Sequence, residues 1–267
     1  MIKKIKKKLL DILKVKNLQN EIENLSILNG KILAKLNKLQ EPSTVNDIEF
    51  KVFSQFGDDG IIQFLTSRIN FDETNKSFVE FGVENYEESN TRFLLFNDNW
   101  SGLVIDSSSH NIQQIKKSRY YWKYDFEAVC SFNTKENINN ILENSKINKK
   151  IGILSIDVDG NDYWIWENIK YVDPIIVIIE FNSNFGFEQK ISVPYKENFI
   201  RTDEHYSNLY WGASLEALKF LAKKKGYKFF CTNSAGNNAY FVKETNYKNL
   251  KIEFNKNSYE AKFRESR

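Results

Sequence analysis

The chain of 267 residues has few cysteines and no long apolar run. Its two cysteines, Cys130 and Cys231, are far apart and fit no metal-ligand spacing, so we expect free thiols in a reducing cytosol. No apolar stretch is long enough to span a bilayer, and no signal-peptide core follows the basic start. These absences predict a cytoplasmic protein without disulfides.

Neither sign of charge predominates, because 38 basic residues are nearly balanced by 35 acidic ones. The net charge is only +3, and the excess lies mainly at the N-terminus, which argues against a nucleic-acid surface on the main body. With 41% hydrophobic and 27% charged residues, the composition is that of a globular protein rather than a disordered one.

Residues 1–41 read as a separate N-terminal helix with a heptad pattern. The residues on its a/d seam are Val15, Leu18, Ile22, Leu25, Asn29, Ile32, Leu36 and Leu39. One asparagine at an a position often fixes register and favours two strands, so the seam predicts a coiled-coil homodimer through residues 15–39. The alternative is a hairpin, or a helix folded back on the body, broken at Asn29-Gly30. For the basic segment 2–13, a solvated face is favoured over contact with a membrane surface.

Strand and helix patterns alternate through the second domain, residues 46–267, after a linker near residue 42. Strands are predicted over 77–82, 101–105, 120–124, 151–156 and 174–181, each followed by a helix or a long loop. Two further strands, 227–232 and 239–242, flank turn residues and predict an antiparallel hairpin. The fold class is therefore α/β, with a Rossmann-like, mostly parallel seven-stranded sheet and a C-terminal antiparallel hairpin.

Acidic side chains follow the predicted strands at nearly every carboxyl end, where ligands bind to parallel sheets. The residues at those ends are Glu80, Gly82, Asp106, Asp125, Asp157, Asp159 and Glu180. A turn at Gly82 and a carboxylate at Asp106 are suited to a nucleoside, because the acid can bind ribose hydroxyls. The acidic rim would repel the two phosphates of a dinucleotide, and the second and third glycines of that fingerprint are missing. A ligand with ribose hydroxyls, an amine and a sulfonium charge fits better.

Several motifs resemble those of the class I S-adenosylmethionine-dependent methyltransferases, and most closely the FkbM-like branch found in surface-polysaccharide and natural-product gene sets. The matching stretches are SQFGDDGII at 54–62, FVEFGVE at 78–84, GLVIDSS at 102–108, LSIDVDGNDYWIWENI at 154–169, and GASLEALKFLAKKKGY with NNAYFV nearer the end. Together they extend over most of residues 51–243. The turn departs from the commoner glycine pattern, with Glu84 where a second glycine is often found.

The resemblance implies S-adenosylmethionine as the cofactor and a role for each matching residue. The implied cofactor-binding residues are Gln55, Glu80, Gly82, Asn90, Asp106, Ser107, Asp125, Phe126 and Asp157. Asp106 would bind both ribose hydroxyls, Asp125 would accept from the adenine amino group, and Phe126 would pack near the ring. Asp157 would face the cofactor amine or the acceptor, although Asp157 and Asp159 could also cap the following helix.

A metal site is a second interpretation of the same strand ends. Asp157, Glu180 and Asn182 carry the oxygen ligands that Mg²⁺ prefers, and some related methyltransferases use a metal there. The spacing fits only loosely.

The long segment 182–211 lacks a clear period and is predicted to be a lid or binding loop. Within it, His205 is the candidate general base for an oxygen acceptor, and Asp159 is the competitor. Its aromatic residues, Tyr195, Tyr206, Tyr210 and Trp211, suit the face of a sugar ring, and Arg201 suits an anionic group.

The sequence therefore predicts a methyltransferase, O-directed, acting on a sugar, nucleotide-sugar or phosphorylated precursor in capsule or surface-polysaccharide biosynthesis. Two alternatives stay open: a nucleotide-sugar or nicotinamide enzyme on the same α/β plan, and a non-catalytic partner protein with a relic cofactor fold.

Overall fold

A computed structural model describes residues 2–248, 250, 252 and 254–261, with side chains from Val15 onward except Lys16. The side chains of segment 2–13, for which membrane contact was weighed, lie outside the described part. The seven strands are β1 (Ser77–Phe81), β2 (Ser101–Asp106), β3 (Phe126–Cys130), β4 (Lys150–Ile156), β5 (Asp173–Glu180), β6 (Tyr227–Thr232) and β7 (Asn238–Lys243).

Helices separate most of these strands. They are α1 (Ile2–Leu39), α2 (Asp58–Arg68), α3 (Arg92–Asp98), α4 (Ser109–Lys117), α5 (Ile138–Glu143), α6 (Asp162–Asn168), α7 (Arg201–Glu204), α8 (Leu215–Lys225) and α9 (Glu244–Tyr247). Within the described residues, none of the helices has the length and apolar character needed to cross a membrane.

All seven strands form one sheet in the order β3-β2-β1-β4-β5-β7-β6. Strands β1 to β5 are parallel, and β7 runs antiparallel between β5 and β6. This confirms the predicted mostly parallel sheet with a C-terminal antiparallel hairpin. Strand order reverses between β1 and β4, and the crevice at such a switch point is where open α/β sheets bind ligands.

The central strands are buried because helices cover both faces of the sheet. Every residue of β1 is buried, and its side chains alternate between two hydrophobic cores. Phe78 belongs to the core beneath α2 and α3, whereas Val79 and Phe81 belong to the core beneath α6 and α8. The carboxyl ends of β1, β2, β4 and β5 are thereby held at one edge.

The prediction for the third strand was wrong. The chain from Ser118 to Tyr124 forms turns, and β3 begins only at Phe126. Tyr120 and Tyr121 pack their rings against Phe126, so the aromatic run that resembled a strand is a cover over the strand's start. Asp125 therefore precedes β3 and lies at the edge opposite to the carboxyl ends.

The N-terminal helix α1 is continuous through Asn29-Gly30, so the break that belonged to the alternative arrangement is absent. One of its faces packs on the body. A Cβ on Gly30 would lie 2.4 Å from Val52 Cγ2, Ala34 joins the core of Phe93, and Asn37 Nδ2 donates to Ile48 O over 2.7 Å. A partner helix is not shown, and the coiled coil stays a prediction.

Candidate active site

A cavity of about 620 Å³ opens at the carboxyl edge of the sheet. One part, here called the strand half, is formed by residues that follow β1, β2 and β3: Gly82, Glu84, Asp106, Ser107, Phe132 and Asn133. The other part, the loop half, is formed by Asp159, Phe199, Arg201, Leu209 and Trp211. The volume lies in the range of small-molecule sites.

At Gly82, the backbone that follows β1 lies directly against the backbone that follows β4. The φ of Gly82 is +74°, and a Cβ there would lie 1.6 Å from the backbone oxygen of Asp157. Its N–H donates to Ile105 O on β2 over 2.9 Å. Only glycine allows this arrangement, and it leaves bare backbone on the cavity wall.

Glu80 organises the loop that follows Gly82. It is 5% exposed, and its carboxylate accepts from Ser89 Oγ at 2.6 Å, from Asn90 N at 2.8 Å and from Thr91 N at 3.1 Å. Burial raises the pKa of Glu80, and these hydrogen bonds oppose the rise. Glu80 and Asn90 both line the cavity, as the resemblance implied.

Asp106 ends β2 and is 7% exposed. Its Oδ2 accepts from Glu84 N over 2.8 Å, and its Oδ1 accepts from Ser108 N over 2.8 Å and from Asn111 Nδ2 over 3.2 Å. These three bonds fix the carboxylate and occupy three of its roughly four lone-pair sites, so Oδ2 is the oxygen that can still accept from a ligand. Asp106 and its neighbour Ser107 both line the cavity, and the ribose-binding role implied by the resemblance stays a prediction.

The structure corrects the predicted adenine contacts. Asp125 and Phe126 stand at the start of β3, where Phe126 pairs with Gly102 at the start of β2. They are separated from the cavity by the length of the strand. The residues that follow β3, Phe132 and Asn133, line the cavity instead, and correct placement of the strand would have identified them.

Asp157 and Glu180 end the neighbouring strands β4 and β5 and line the cavity together. Burial raises the pKa of both carboxyl groups well above the usual range, and the charges of Asp159 and Asp162 raise them further. Glu180 is 8% exposed, and its Oε2 has no hydrogen-bond partner among the described atoms. A proton shared between Asp157 and Glu180, a ligand donor or a cation would each satisfy this oxygen.

Three acids, Asp157, Asp162 and Glu180, form a cluster in which one oxygen of each lies within 4.8 Å of the others. Asp162 already accepts from Val158 N at 2.8 Å and from Gly160 N at 3.0 Å. Burial raises its pKa to about 6.

Asn182, a predicted metal ligand, is used differently. Its Oδ1 accepts from Asn184 N over 3.0 Å, while its Nδ2 donates to Leu209 O and Trp211 O over 2.8 and 3.0 Å. It ties the loop half together, and the structure places Asp162 rather than Asn182 in the acid cluster.

The loop half is a packed segment rather than an open loop. Val193, Phe199 and Trp211 form a small core, and Ser192 pairs with Ala213 as an isolated bridge. Arg201, on α7, donates to Asp159 Oδ1 over 3.1 Å and lies 4.7 Å from the ring of Trp211. Arg201, Trp211 and Asp159 thus reach the cavity as predicted.

Four other predicted residues are not brought to the cavity wall. His205 Nδ1 is bonded to Ser207 Oγ at 2.7 Å, and its ring lies against exposed Tyr206. Tyr210 is 39% exposed, and Tyr195 donates its hydroxyl to Glu136 Oε2 on the surface. Their roles stay predictions without support from this geometry.

The remaining wall comes from parts of the chain that are distant in sequence. Gln55 lines it as expected, together with Asn237 of the turn between β6 and β7 and Asn238 at the start of β7. The end of the described chain also returns here, where Ala261 N donates to Ser183 Oγ over 3.2 Å. The sequence did not predict Asn237, Asn238 and Ala261, because the hairpin and the polar tail carry no local pattern that points to a ligand.

The lining as a whole is acidic. Its described residues include seven carboxylates and one cationic side chain, Arg201, which is paired with Asp159. Such a cavity favours cationic or neutral hydroxyl-bearing ligands over anionic ones.

The switch-point crevice, the glycine turn and the acid after β2 together define the class I S-adenosylmethionine-dependent methyltransferase fold. A family model for the methyltransferase FkbM domain matches residues 34–229. The chain belongs to this family.

The chain is similar to several solved methyltransferase structures. A putative caffeoyl-CoA O-methyltransferase from Staphylococcus aureus is 18% identical, with a TM-score of 0.46, covering 81% of this chain and 99% of that chain. The O-methyltransferase NcsB1 from neocarzinostatin biosynthesis, in complex with S-adenosyl-L-homocysteine and 1,4-dihydroxy-2-naphthoic acid, is 12% identical, with a TM-score of 0.40. That alignment covers 65% of this chain and 51% of NcsB1, so the chain matches about half of NcsB1. No curated protein matches.

Proposed function

We propose that the protein is an S-adenosylmethionine-dependent O-methyltransferase acting on a small hydroxyl-bearing acceptor. The carrying observation is the fixed carboxylate of Asp106 beside the bare backbone of Gly82, within a chain of the FkbM methyltransferase family. The acceptor hydroxyl would take the methyl group that the cofactor supplies, which would leave S-adenosylhomocysteine as the second product. The acceptor proton passes to a base.

The strand half would hold the cofactor. Asp106 would accept from the ribose hydroxyls through Oδ2, with Ser107 and Phe132 at the adenine side. Gly82, without a side chain, would leave room for the methionine part at the cavity wall, and the side-chain amide of Asn90 would donate to it. When bound, the cofactor supplies an electrophilic methyl group, and these residues orient it toward the loop half.

The loop half would hold the acceptor. Trp211 offers a ring surface suited to a sugar, and Arg201 is held at its face. Because acidic side chains line the cavity and Arg201, the cation in its described lining, is paired with Asp159, a neutral sugar is favoured over the phosphorylated and nucleotide-linked acceptors also predicted. The family resemblance favours a step in capsule or surface-polysaccharide assembly.

Asp159 is the favoured base, because it lines the cavity and His205 does not. Its partner Arg201 fixes the carboxylate at the boundary between the two halves. Proton transfer by a positioned side chain typically contributes about 10²–10⁴-fold to rate.

A Mg²⁺-assisted reaction is the second candidate, favoured by the unpartnered Oε2 of Glu180. Asp157 and Glu180 would supply two oxygens and water the others, since Asp162 and Asn182 are used within the protein. Transfer that survives exhaustive chelation would rule this candidate out.

We further propose that the protein is a homodimer through residues 15–39. The seam side chains of α1 are exposed: Val15 by 55%, Leu25 by 60% and Ile32 by 50%. The face that packs on the body carries Ile27, Gly30 and Ala34, which occupy the b and f heptad positions. The two predicted arrangements are therefore compatible, because the helix folds back by one face and presents the seam on the other.

A second copy is the occupant that the seam fits. Its apolar stripe repeats at a/d spacing over more than three heptads, and its Asn29 would meet its own counterpart in a parallel pair. Leu28 and Leu33, also exposed, widen the apolar surface on either side. Exposed apolar patches of this extent mark interaction sites.

The dimer is tested by charging the seam. The double variant Leu25→Lys and Ile32→Lys should halve the mass in solution, measured by analytical ultracentrifugation, because both side chains are exposed in the single chain. The control places two lysines off the seam, at Asn17 and Asn24. An unchanged mass of the seam variant, or equal loss in the control, would refute pairing through the seam.

The cofactor assignment is tested by calorimetry with S-adenosylhomocysteine. Asp106→Ala should weaken binding by about 100-fold, since it removes the charge-assisted hydrogen bonds to the ribose. Asp125→Ala is the matched control, being an exposed acid before the next strand of the sheet, and should bind normally. A wild-type protein that fails to bind would contradict the proposal, and a screen with nicotinamide and sugar nucleotides would identify the alternative enzyme class. Failure to bind any of them would favour a non-catalytic partner protein.

A further inference from the structure

The loop between β1 and α3, residues 84–91, is held in a conformation that it would not adopt alone. Glu84 and Tyr86 have φ values of +47° and +63°, in the left-handed region that favours glycine. Residues in this region cost free energy and persist only where their surroundings hold them. The loop lines the cavity through Glu84, Glu88, Ser89 and Asn90, and its ties therefore determine the shape of the site.

Some of these ties come from the strands. Asp106 accepts from Glu84 N, and Glu80 accepts from Ser89 Oγ and Asn90 N. Both acids belong to the strand half or lie directly beneath it. They hold the two ends of the loop and leave its middle to be fixed by other contacts.

Arg92 holds the middle of the loop. It is 5% exposed, and its Nη1 donates to Glu87 O over 2.8 Å. Its guanidinium lies 4.2 Å from the ring centroid of Phe53, 5.3 Å from that of Phe96 and 5.0 Å from that of Tyr120. A cation enclosed in this way needs a counter-charge, because aromatic faces offset only part of its desolvation.

The counter-charge comes from the N-terminal helix. Glu23 Oε2 lies 3.3 Å from Arg92 Nη2 and accepts a hydrogen bond from it. Glu23 occupies a b position of α1, on the face that packs against the body and away from the seam. It precedes the region, residues 34–229, that matches the family model.

We propose that Glu23 is a positioning residue for the cofactor loop, acting through Arg92. The N-terminal helix is then part of the methyltransferase site and not only a dimerisation element. The inference rests on the proposed function, because its main readout is binding of S-adenosylhomocysteine. It also explains why α1 has polar contacts on its b/f face: the helix supplies the carboxylate that pairs with Arg92.

The first test compares three proteins by calorimetry with S-adenosylhomocysteine. Glu23→Gln should weaken binding by about fivefold to tenfold, because it leaves the buried guanidinium without its charged partner. Glu23→Asp, which keeps the charge, should recover part of the affinity. Glu21→Gln, an exposed acid on the same turn of α1, is the control and should bind as the wild type does.

The second test asks whether Glu23 acts through Arg92. Arg92→Met keeps an apolar side chain among the three rings, and the effect of Glu23→Gln should fall to less than about twofold in that background. Equal effects in both backgrounds would overturn the proposal, as would wild-type affinity in Glu23→Gln.

Amide hydrogen exchange separates this inference from the proposed function. In Glu23→Gln without ligand, exchange should increase across residues 85–91 and stay unchanged in β4 and β5. This measurement needs no cofactor binding, so it remains decisive where the wild type fails to bind S-adenosylhomocysteine. Unchanged exchange across residues 85–91 would overturn the inference by itself.

Discussion

The two halves of the cavity differ in how the chain builds them. The strand half is formed by residues at or just after the ends of parallel strands, and its Asp106 is fixed by hydrogen bonds from the backbone N–H groups of Glu84 and Ser108. The loop half is formed by a segment of about thirty residues whose shape depends on its own small core and on Asn182. The first half is therefore set by the fold, whereas the second can vary without disturbing the sheet.

This difference fits the division of labour that we propose. A cofactor shared by a family needs one geometry, which the ends of adjacent strands supply. An acceptor that differs from one member to another needs a wall that can change, and packed loops on a rigid scaffold provide it.

The sharpest test of the comparison replaces one glycine next to the strand half and one in the loop segment by alanine. Gly82→Ala should weaken binding of S-adenosylhomocysteine by at least about 100-fold, because its Cβ would lie 1.6 Å from Asp157 O and force β1 and β4 apart. Gly186→Ala, in the loop segment, has nearly the same φ of +73° but nothing within 4 Å of its Cβ. Because its ψ of −172° places it in a region that nearly only glycine adopts, the change should cost about 1–3 kcal/mol of stability, but it should leave binding unchanged.

Thermal melts of both glycine variants separate misfolding from a damaged site. The comparison predicts that Gly82→Ala loses binding even at temperatures where it remains folded. Equal losses of affinity in the two variants would show that backbone strain alone is responsible, and that the close approach of β1 to β4 is not needed.

The second test removes the two candidate bases in the loop half. Asp159→Asn should lower methyl transfer from labelled S-adenosylmethionine to a panel of neutral monosaccharides by about 100-fold, while His205→Ala changes it less than about threefold. Both variants should bind S-adenosylhomocysteine within about twofold of the wild type, since neither residue belongs to the strand half. The opposite ranking would restore His205 as the base, and weakened cofactor binding would show that the two halves are not separate.

How far the sequence predicts this site follows from the same division. Glu80, Gly82, Asp106 and Asp157 were found because the end of an apolar run marks the end of a strand, and parallel strands end at one edge. Asp125 was misplaced because the aromatic run Tyr120–Tyr124 has strand propensity but packs as a cover over Phe126.

Other contributions could not be predicted, since they depend on long-range packing. Asn237, Ala261 and Glu23 reach the site or its supports only through tertiary folding, and no local pattern marks them. The helix α1 shows the same limit. Its heptad seam could be predicted from the sequence, but the packing of its opposite face, with Gly30 against Val52, could not.

The smallest expected effect concerns the acid pair between the two halves. Burial raises the pKa of Glu180 well above its usual value of 4.5, so the folded state keeps its proton to a higher pH than the unfolded state does. The free energy of unfolding must then fall as pH rises from about 4.5 through the folded-state pKa.

Glu180→Gln removes this dependence, because an amide stays neutral at every pH. We expect the variant to be more stable than the wild type by about 1–3 kcal/mol at pH 8 and by much less at pH 5, measured by urea denaturation. Glu188→Gln, an exposed acid on the loop segment, should match the wild type at both values. A variant that is less stable at pH 8 would mean that Glu180 already has a compensating partner in the folded protein, which would leave the site without its demand for a cation or a donor.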